Sequence, residues 1–298
     1  MFFYIFIFIL IIFFILNCLT GFYLTRFIKK FILSIPLFIH DLFAIDWEVF
    51  RAYGFWCFCG LGGSGKTVSM VNYLIQMREK YPKLLILTNF DCDVADRHIT
   101  DWRDLTDVTN IRIDEITEKK YKKFKKHHTY KDCDLWLEVD EKTFEIKYFV
   151  RRNHGVLYGF DEIHLTFEST KWEDAPSNLL DYISQQRKYH KQIVSTSQVF
   201  TRIDKKLREQ TNYVIECHSY LLGRLITNKY FITEEYIANG EKMDKGNRKR
   251  RSKKREVFIA YDNIRSNYNT EQIMKELNTS KSNDKKLIDL IKSYQKGE

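Results

Sequence analysis

Gly60-Leu61-Gly62-Gly63-Ser64-Gly65-Lys66-Thr67 puts glycine, lysine and a hydroxyl at every fixed position of the phosphate-binding pattern G-x-x-x-x-G-K-[ST]. Glycine reaches positive φ and admits close backbone approach, so the N–H groups from Gly60 to Val68 are suited to surround an anionic phosphate. Lys66 is expected on the β- and γ-phosphates of ATP, and Thr67 on Mg²⁺. A second chemical element is the apolar run Val156–Phe160, which ends in Asp161-Glu162. Asp161 is expected to hold the Mg²⁺ shell beside Thr67, and Glu162 to orient and deprotonate an attacking water. His164, two residues on, is read as filling space. A third element is Gln198, after the run Gln192–Ser197, where a strand tip would face the γ-phosphate or that water.

These residues need a frame. Phe55-Trp56-Cys57-Phe58-Cys59, before the loop, has the apolar and aromatic content of a buried strand. Thr67–Ile75 carries apolar residues at helical spacing, so the glycines join a strand to a helix whose N-terminal dipole faces the same anion. Leu84–Phe90 is the next buried strand. Strand, loop, helix, strand is a βαβ unit, and it predicts an α/β P-loop NTPase with a central, mostly parallel sheet. Pro176 opens a predicted helix that runs to Lys191 and contains Arg187. Asp204–Asn212, with Arg208, reads as a charged helix, and Tyr213–Cys217 and Val257–Tyr261 read as strands. The six cysteines lack metal-ligand spacing and are read as reduced thiols. Cys57 and Cys59, one residue apart on the first strand, are expected on opposite faces.

Met1–Leu16 contains no polar residue, and the apolar character runs on to Leu24. That length suits a transmembrane helix, and no positive charge precedes it as a signal peptide would require. Arg26, Lys29 and Lys30 follow the run, so the positive-inside rule puts the N-terminus outside and the remainder in the cytoplasm. Phe31–Ile45, interrupted by Pro36, His40 and Asp41, is expected to lie in the membrane interface. The chain is thus divided into a transmembrane anchor over 1–25, a juxtamembrane segment over 26–50 and a P-loop ATPase domain over 51–264. That domain carries an inserted basic helix and hairpin at 115–150 and a basic loop at 240–256. Peripheral C-terminal helices follow over 265–298.

Charge is concentrated rather than spread. The 298 residues carry a formal charge of +9, and Lys242–Arg255 holds nine Lys or Arg against Asp244 alone, a net +8. Such a run serves DNA backbone, anionic lipid or a solvated loop. Glu115–Lys131 is a lysine-rich predicted helix, for which a solvated face and a phosphate-backbone contact stand equally. The basic segments 242–255 and 119–131 are therefore the candidate DNA contacts. Leu135–Val139 and Phe144–Val150 read as a hairpin inserted into the core.

Over about Gly54 to Ile264 the sequence resembles the zonular occludens toxin family. The phosphate loop, Thr88-Asn89, Asp161-Glu162, the stretch from Arg187 to Gln198 and Tyr261-Asp262-Asn263 carry the resemblance. That family includes assembly ATPases of filamentous phages and is similar to the wider HerA–FtsK class of DNA-pumping motors. The resemblance implies ATP-driven extrusion of phage DNA through the host cytoplasmic membrane as coat proteins assemble around it. It also implies a homo-oligomeric ring in which an arginine completes the neighbour's site, Arg187 and Arg208 being the candidates. Many family members place the membrane span after the ATPase domain, whereas here the apolar run comes first, an order that suits a host without an outer membrane. The alternatives are a HerA–FtsK-like translocase for plasmid transfer or DNA segregation, and a non-catalytic nucleotide-binding membrane scaffold.

Overall fold

The computed structural model describes residues 2–19, 21–100, 103–127, 133–141, 144–166, 179–237 and 252–268. The chain forms two compact units, 1–47 with 115–150, and 48–114 with 151–298. The strands in chain order are β1 (Gly54–Cys59), β2 (Leu85–Thr88), β3 (Arg97–His98), β4 (Ile111–Ile116), β5 (Cys133–Val139) and β6 (Ile146–Asn153). They continue with β7 (Val156–Phe160), β8 (Lys191–Ser197), β9 (Thr211–Tyr220), β10 (Leu225–Ile232) and β11 (Lys254–Ile259). The helices are α1 (Phe2–Leu19), α2 (Tyr23–Ala44), α3 (Lys66–Lys80), α4 (Arg103–Thr106) and α5 (Glu118–Lys126). After these come α6 (Ile163–Thr166), α7 (Leu179–Ser184), α8 (Lys205–Gln210) and α9 (Asp262–Ser266).

The larger unit is built on one eight-stranded sheet of order β11-β10-β9-β1-β8-β7-β2-β3. From β9 through β1, β8, β7 and β2 to β3 every pairing is parallel. The edge pairs β9–β10 and β10–β11 are antiparallel. The expected α/β architecture with a mostly parallel sheet is therefore present. Period-2 alternation distributes β1 between two cores. Phe58 joins Met70, Val71 and Leu74 of α3 with Leu157, Val194 and Ile215. Phe55, Cys57 and Cys59 join Tyr158, Phe160, Ile193 and Leu207 in the other core. Cys57 and Cys59 thus share a face, with their sulfurs 3.4 Å apart. The expectation of opposite faces fails because positions two apart on a strand return to the same side.

Other boundaries move as well. The helix expected from Glu115 begins only at Glu118, because Ile111–Ile116 is a strand; Thr117 caps α5 by accepting a hydrogen bond from the Lys120 N–H. The helix expected to run to Lys191 ends at Ser184, and Lys191 already belongs to β8. β10, which the sequence reading passed over, is a full eight-residue strand. Lys131, Pro176, the basic residues 242–251 and the C-terminal stretch Glu271–Tyr294 lie outside the described residues, while Lys254 and Arg255 open β11.

A second sheet of three strands has the order β4-β6-β5, and Phe124 of α5 packs with Ile116 and Val150. At the N-terminus, the helical chain breaks at Phe22, whose φ of 63° lies in the left-handed region. Asn17 pins this elbow: its Oδ1 accepts from the Thr25 N–H at 2.9 Å and the Thr25 hydroxyl at 2.6 Å. The boundary expected at residue 25 therefore falls inside α2. Among the described residues no single helix is long and apolar enough to cross a membrane; α1 and α2 pass that test only together, bent by 104°.

Candidate nucleotide site

β1 ends at Cys59, and the loop Gly60–Gly65 leads directly into α3. Two glycines are demanded by the geometry. A Cβ on Gly60 would lie 2.9 Å from the Cys217 carbonyl oxygen. Gly65 caps α3 at φ 86°, and its Cβ would lie 2.6 Å from Ile226 Cδ1. The Ser64 N–H donates to the Leu61 oxygen at 3.1 Å, closing the turn. Lys66, almost buried, folds its ammonium back onto the same Leu61 oxygen at 3.2 Å. Ser64 Oγ is buried with no hydrogen-bond partner among the described residues, so the loop holds an unused polar group where an anion would sit.

The acid expected beside Thr67 is there. Thr67 Oγ1 donates to Asp161 Oδ1 at 3.0 Å across 94 positions of sequence. The Thr196 hydroxyl donates to the same oxygen at 2.5 Å. Asn89 at the end of β2 clamps the Asp161 backbone from both sides, donating to its carbonyl at 3.0 Å and accepting from its N–H at 2.7 Å. Three adjacent parallel strands, β2, β7 and β8, therefore aim one side chain each at a single point beyond their carboxyl ends, where open α/β sheets bind ligands. A cavity of about 560 Å³ opens there, lined by Gly63, Gly65, Lys66, Thr67, Val68 and Asp161 among others.

The remaining candidates scatter. Glu162 sits in the left-handed region at φ 48°, and its N–H donates to Thr196 Oγ1 at 2.8 Å. Its carboxylate does not line the cavity; Oε2 lies 3.2 Å from His164 Nδ1, and neither atom has a hydrogen-bond partner among the described residues. Gln198 lines a separate cavity of about 480 Å³ on the other side of the loop with Gly60, Leu61 and Gly62, and its Oε1 accepts from Arg202 at 3.5 Å. Arg187 stacks its guanidinium 5.4 Å from the centre of the Tyr53 ring. Arg187 precedes the first residue of β8 and Arg208 the first residue of β9, whereas the phosphate loop follows the last residue of the parallel β1. Both arginines thus belong to the opposite end of the sheet and do not line this chain's cavity.

What sequence reasoning missed comes from the β9–β10 hairpin and α9. Ser219 Oγ donates to the Gly63 oxygen at 2.6 Å, and Ser69 Oγ on α3 donates to Asn228 Oδ1 at 2.9 Å. The hairpin thereby braces the loop from outside the βαβ core. Arg265 of α9 lines the cavity, and its Nη2 donates to the Gly223 oxygen at 2.7 Å in the hairpin turn. The only sequence signal for it was the neighbouring Tyr261-Asp262-Asn263, and nothing local connects that stretch to residue 66. Burial pushes the Cys217 thiol up to about 12.

No curated protein matches the sequence. Among solved structures, the N-terminal domain of zonular occludens toxin from Neisseria meningitidis is 13% identical, over 73% of this chain and 99% of that one, with a TM-score of 0.39. The genome-packaging NTPase B204 from Sulfolobus turreted icosahedral virus 2, in complex with AMPPCP, is 11% identical over 76% of this chain and 98% of that one, with a TM-score of 0.34. The flagellar accessory protein FlaH from Methanocaldococcus jannaschii is 10% identical over 60% and 77%, with a TM-score of 0.31. At these identities and scores none of the three bears on what this chain does. The family model for zonular occludens toxin (Zot) matches residues 56–267, from the third residue of β1 to just past α9. That span contains the phosphate loop, Asp161 with its three supporting side chains, the bracing hairpin and Arg265, and the chain belongs to the zonular occludens toxin family as a P-loop NTPase.

Proposed function

We propose that this chain is a membrane-anchored ATPase that hydrolyses ATP to drive assembly and export of a filamentous phage, extruding phage DNA through the host membrane. The observation that carries the enzymatic part is the 3.0 Å bond between Thr67 Oγ1 and Asp161 Oδ1. A hydroxyl and a carboxylate at the mouth of a phosphate loop are the hard oxygen donors that Mg²⁺ takes. Bound there, the ion would neutralise charge on the β- and γ-phosphate oxygens.

The chain's own residues do the rest. Backbone N–H groups from Gly60 to Val68 and the Ser64 hydroxyl hold the phosphates. Lys66 exchanges its bond to the Leu61 oxygen for the β- and γ-phosphates. Glu162 turns from His164 toward the cavity and positions a water. The water oxygen bonds to the γ-phosphorus, the bond to the β–γ bridging oxygen breaks, and the water proton passes to the Glu162 carboxylate as ADP leaves. Arg265 stands on the far wall of the cavity and couples nucleotide occupancy to the hairpin turn. Arg187 and Arg208, at the other end of the sheet, are left as candidates only for a neighbouring copy's site in a ring.

For the anchor, α1 is 18 residues long, about 27 Å at the helical rise, close to the hydrocarbon thickness of a bilayer. The 104° bend and the Arg26, Lys29 and Lys30 charges of α2 suit a first helix across the bilayer and a second along its surface. The positive charges following α1 support an arrangement with the N-terminus outside and the ATPase unit in the cytoplasm. Coat proteins and phage DNA, at the basic run 242–255, are the proposed partners.

Glu162→Gln tests the motor reading. The variant is expected to keep ATP binding and to lose turnover by about 10²–10⁴-fold, the range of general-base catalysis. Unchanged turnover removes Glu162 from the mechanism. A second reading, a nucleotide-binding scaffold without hydrolysis, is favoured by one feature, the Glu162 carboxylate lying beside His164 and not lining the cavity. Absence of any turnover by the unaltered chain, with and without single-stranded DNA, would establish it.

A further inference from the structure

The smaller unit leaves an apolar surface beside a cationic helix. Along β5, Cys133, Leu135, Leu137 and Val139 share a face by period-2 alternation, and along β6 so do Ile146, Tyr148 and Val150. α5 covers the inner half of that face, where Phe124 and Tyr121 pack with Cys133, Leu135, Tyr148 and Val150. The outer half is open: Leu137, Val139 and Ile146 are exposed, and Phe144 in the connecting turn is 81% exposed. α5 itself carries six lysines, all exposed, against the single acid Glu118.

From this juxtaposition we propose that the β5–β6 tip and α5 seat the smaller unit on an anionic lipid surface. The exposed aliphatic and phenyl groups enter the interface, and the lysines face the headgroups. The chemistry favours lipid over nucleic acid. Lysines alone would serve a phosphate backbone, but an aliphatic tip gains nothing from one, whereas it gains burial in a bilayer interface. Continuity argues the same way, since this tip and α5 belong to one compact unit with the apolar helices α1 and α2. The proposal rests on the membrane-anchored reading above and extends it: the anchor becomes a helix pair plus a peripheral foot, which restrains the chain at the membrane at two places.

The test uses the full chain reconstituted into vesicles of mixed phosphatidylglycerol and phosphatidylcholine, or of phosphatidylcholine alone. An environment-sensitive fluorescent amino acid replaces Phe144, and a control replaces exposed Glu209 on α8. The expected result is blue-shifted emission at position 144 that is quenched by lipids brominated in the tail. The shift should be larger with the anionic lipid and lost when the six α5 lysines become glutamine, while position 209 stays aqueous. Aqueous emission at 144 in a chain that co-floats with the vesicles overturns the foot and leaves the anchor standing. A chain that does not co-float overturns both. A shift at 144 that appears only on adding single-stranded DNA makes the surface a nucleic-acid contact and overturns the proposal.

Discussion

The two sheets of this molecule are held by opposite means. In the large sheet, all five residues of β7 and all seven of β8 are buried. In the small sheet, no residue of β5 is fully buried, and its outer positions are open. Parallel strands covered on both faces leave no side chain unconstrained, so every position is dictated by packing. That rigidity is what lets Asn89, Asp161 and Thr196 converge on one point from three strands. The small sheet has one helix over half of one face, so its exposed residues are set by something other than the fold. The proposed catalysis and the proposed membrane contact thereby fall to different sheets.

The comparison can be broken or sharpened by substitution. The largest effect is expected at the cavity itself. Lys66→Ala should lower ATP affinity and turnover by about 10²-fold or more, read by nucleotide binding and phosphate release, because a buried cation aimed at the phosphates has no substitute. In the frame beneath it, Leu157→Ala on β7 should cost about 2–5 kcal/mol in denaturant unfolding, since Leu157 is completely buried against α3. Val139→Ala on β5 should stay within about 0.5 kcal/mol, and a cost as large as that of Leu157→Ala would end the contrast. Asn89→Ala removes both bonds to the Asp161 backbone and should slow hydrolysis by about 10–100-fold, the usual effect of losing an outer-shell partner. Unchanged hydrolysis would show that β7 with the Thr67 and Thr196 hydroxyls aims the acid without Asn89.

The smallest effect concerns the chain segments flanking the insertion. Burial would raise the Asp114 pKa, but hydrogen bonds from Lys83, His154 and Arg152 outweigh it and hold the carboxyl at about 2, against an ordinary 3.8. A depressed carboxylate contributes stability above its unfolded value and loses it as pH falls through the folded value. Asp114→Asn should therefore be less stable than the parent at neutral pH, with the gap closing between about pH 3.8 and 2, measured by unfolding midpoints across that range. A gap that persists at pH 2 would put the effect in packing instead.

Legibility tracked sequence separation. The loop, α3 and the strand ending in Asp161 were readable because their signals are local: glycine spacing, helical periodicity and an apolar run with acids at its end. Asp161 beside Thr67 followed from the topology of a parallel sheet. Glu162 was legible on the chain, but that its side chain lies beside His164 was not, because no sequence pattern announces its left-handed φ. The Cys57–Cys59 expectation failed on strand geometry alone. Ser219, Asn228 and Arg265 were not legible, since they reach the loop, α3 and the cavity only once the later strands are laid along the far edge of the sheet.

By itself, then, the sequence determined the class of fold, the position of the phosphate-loop pattern and the acid that meets Thr67. These depend on backbone conformation and hydrophobic period, which short stretches specify. Only the tertiary structure decided which polar side chains share the cavity, that Arg187 and Arg208 stand at the wrong end for it, that Arg265 stands at the right one, and that an apolar tip is left uncovered beside six lysines. Those are consequences of strand order and of which faces pack, and strand order is set by contacts between residues far apart in the chain.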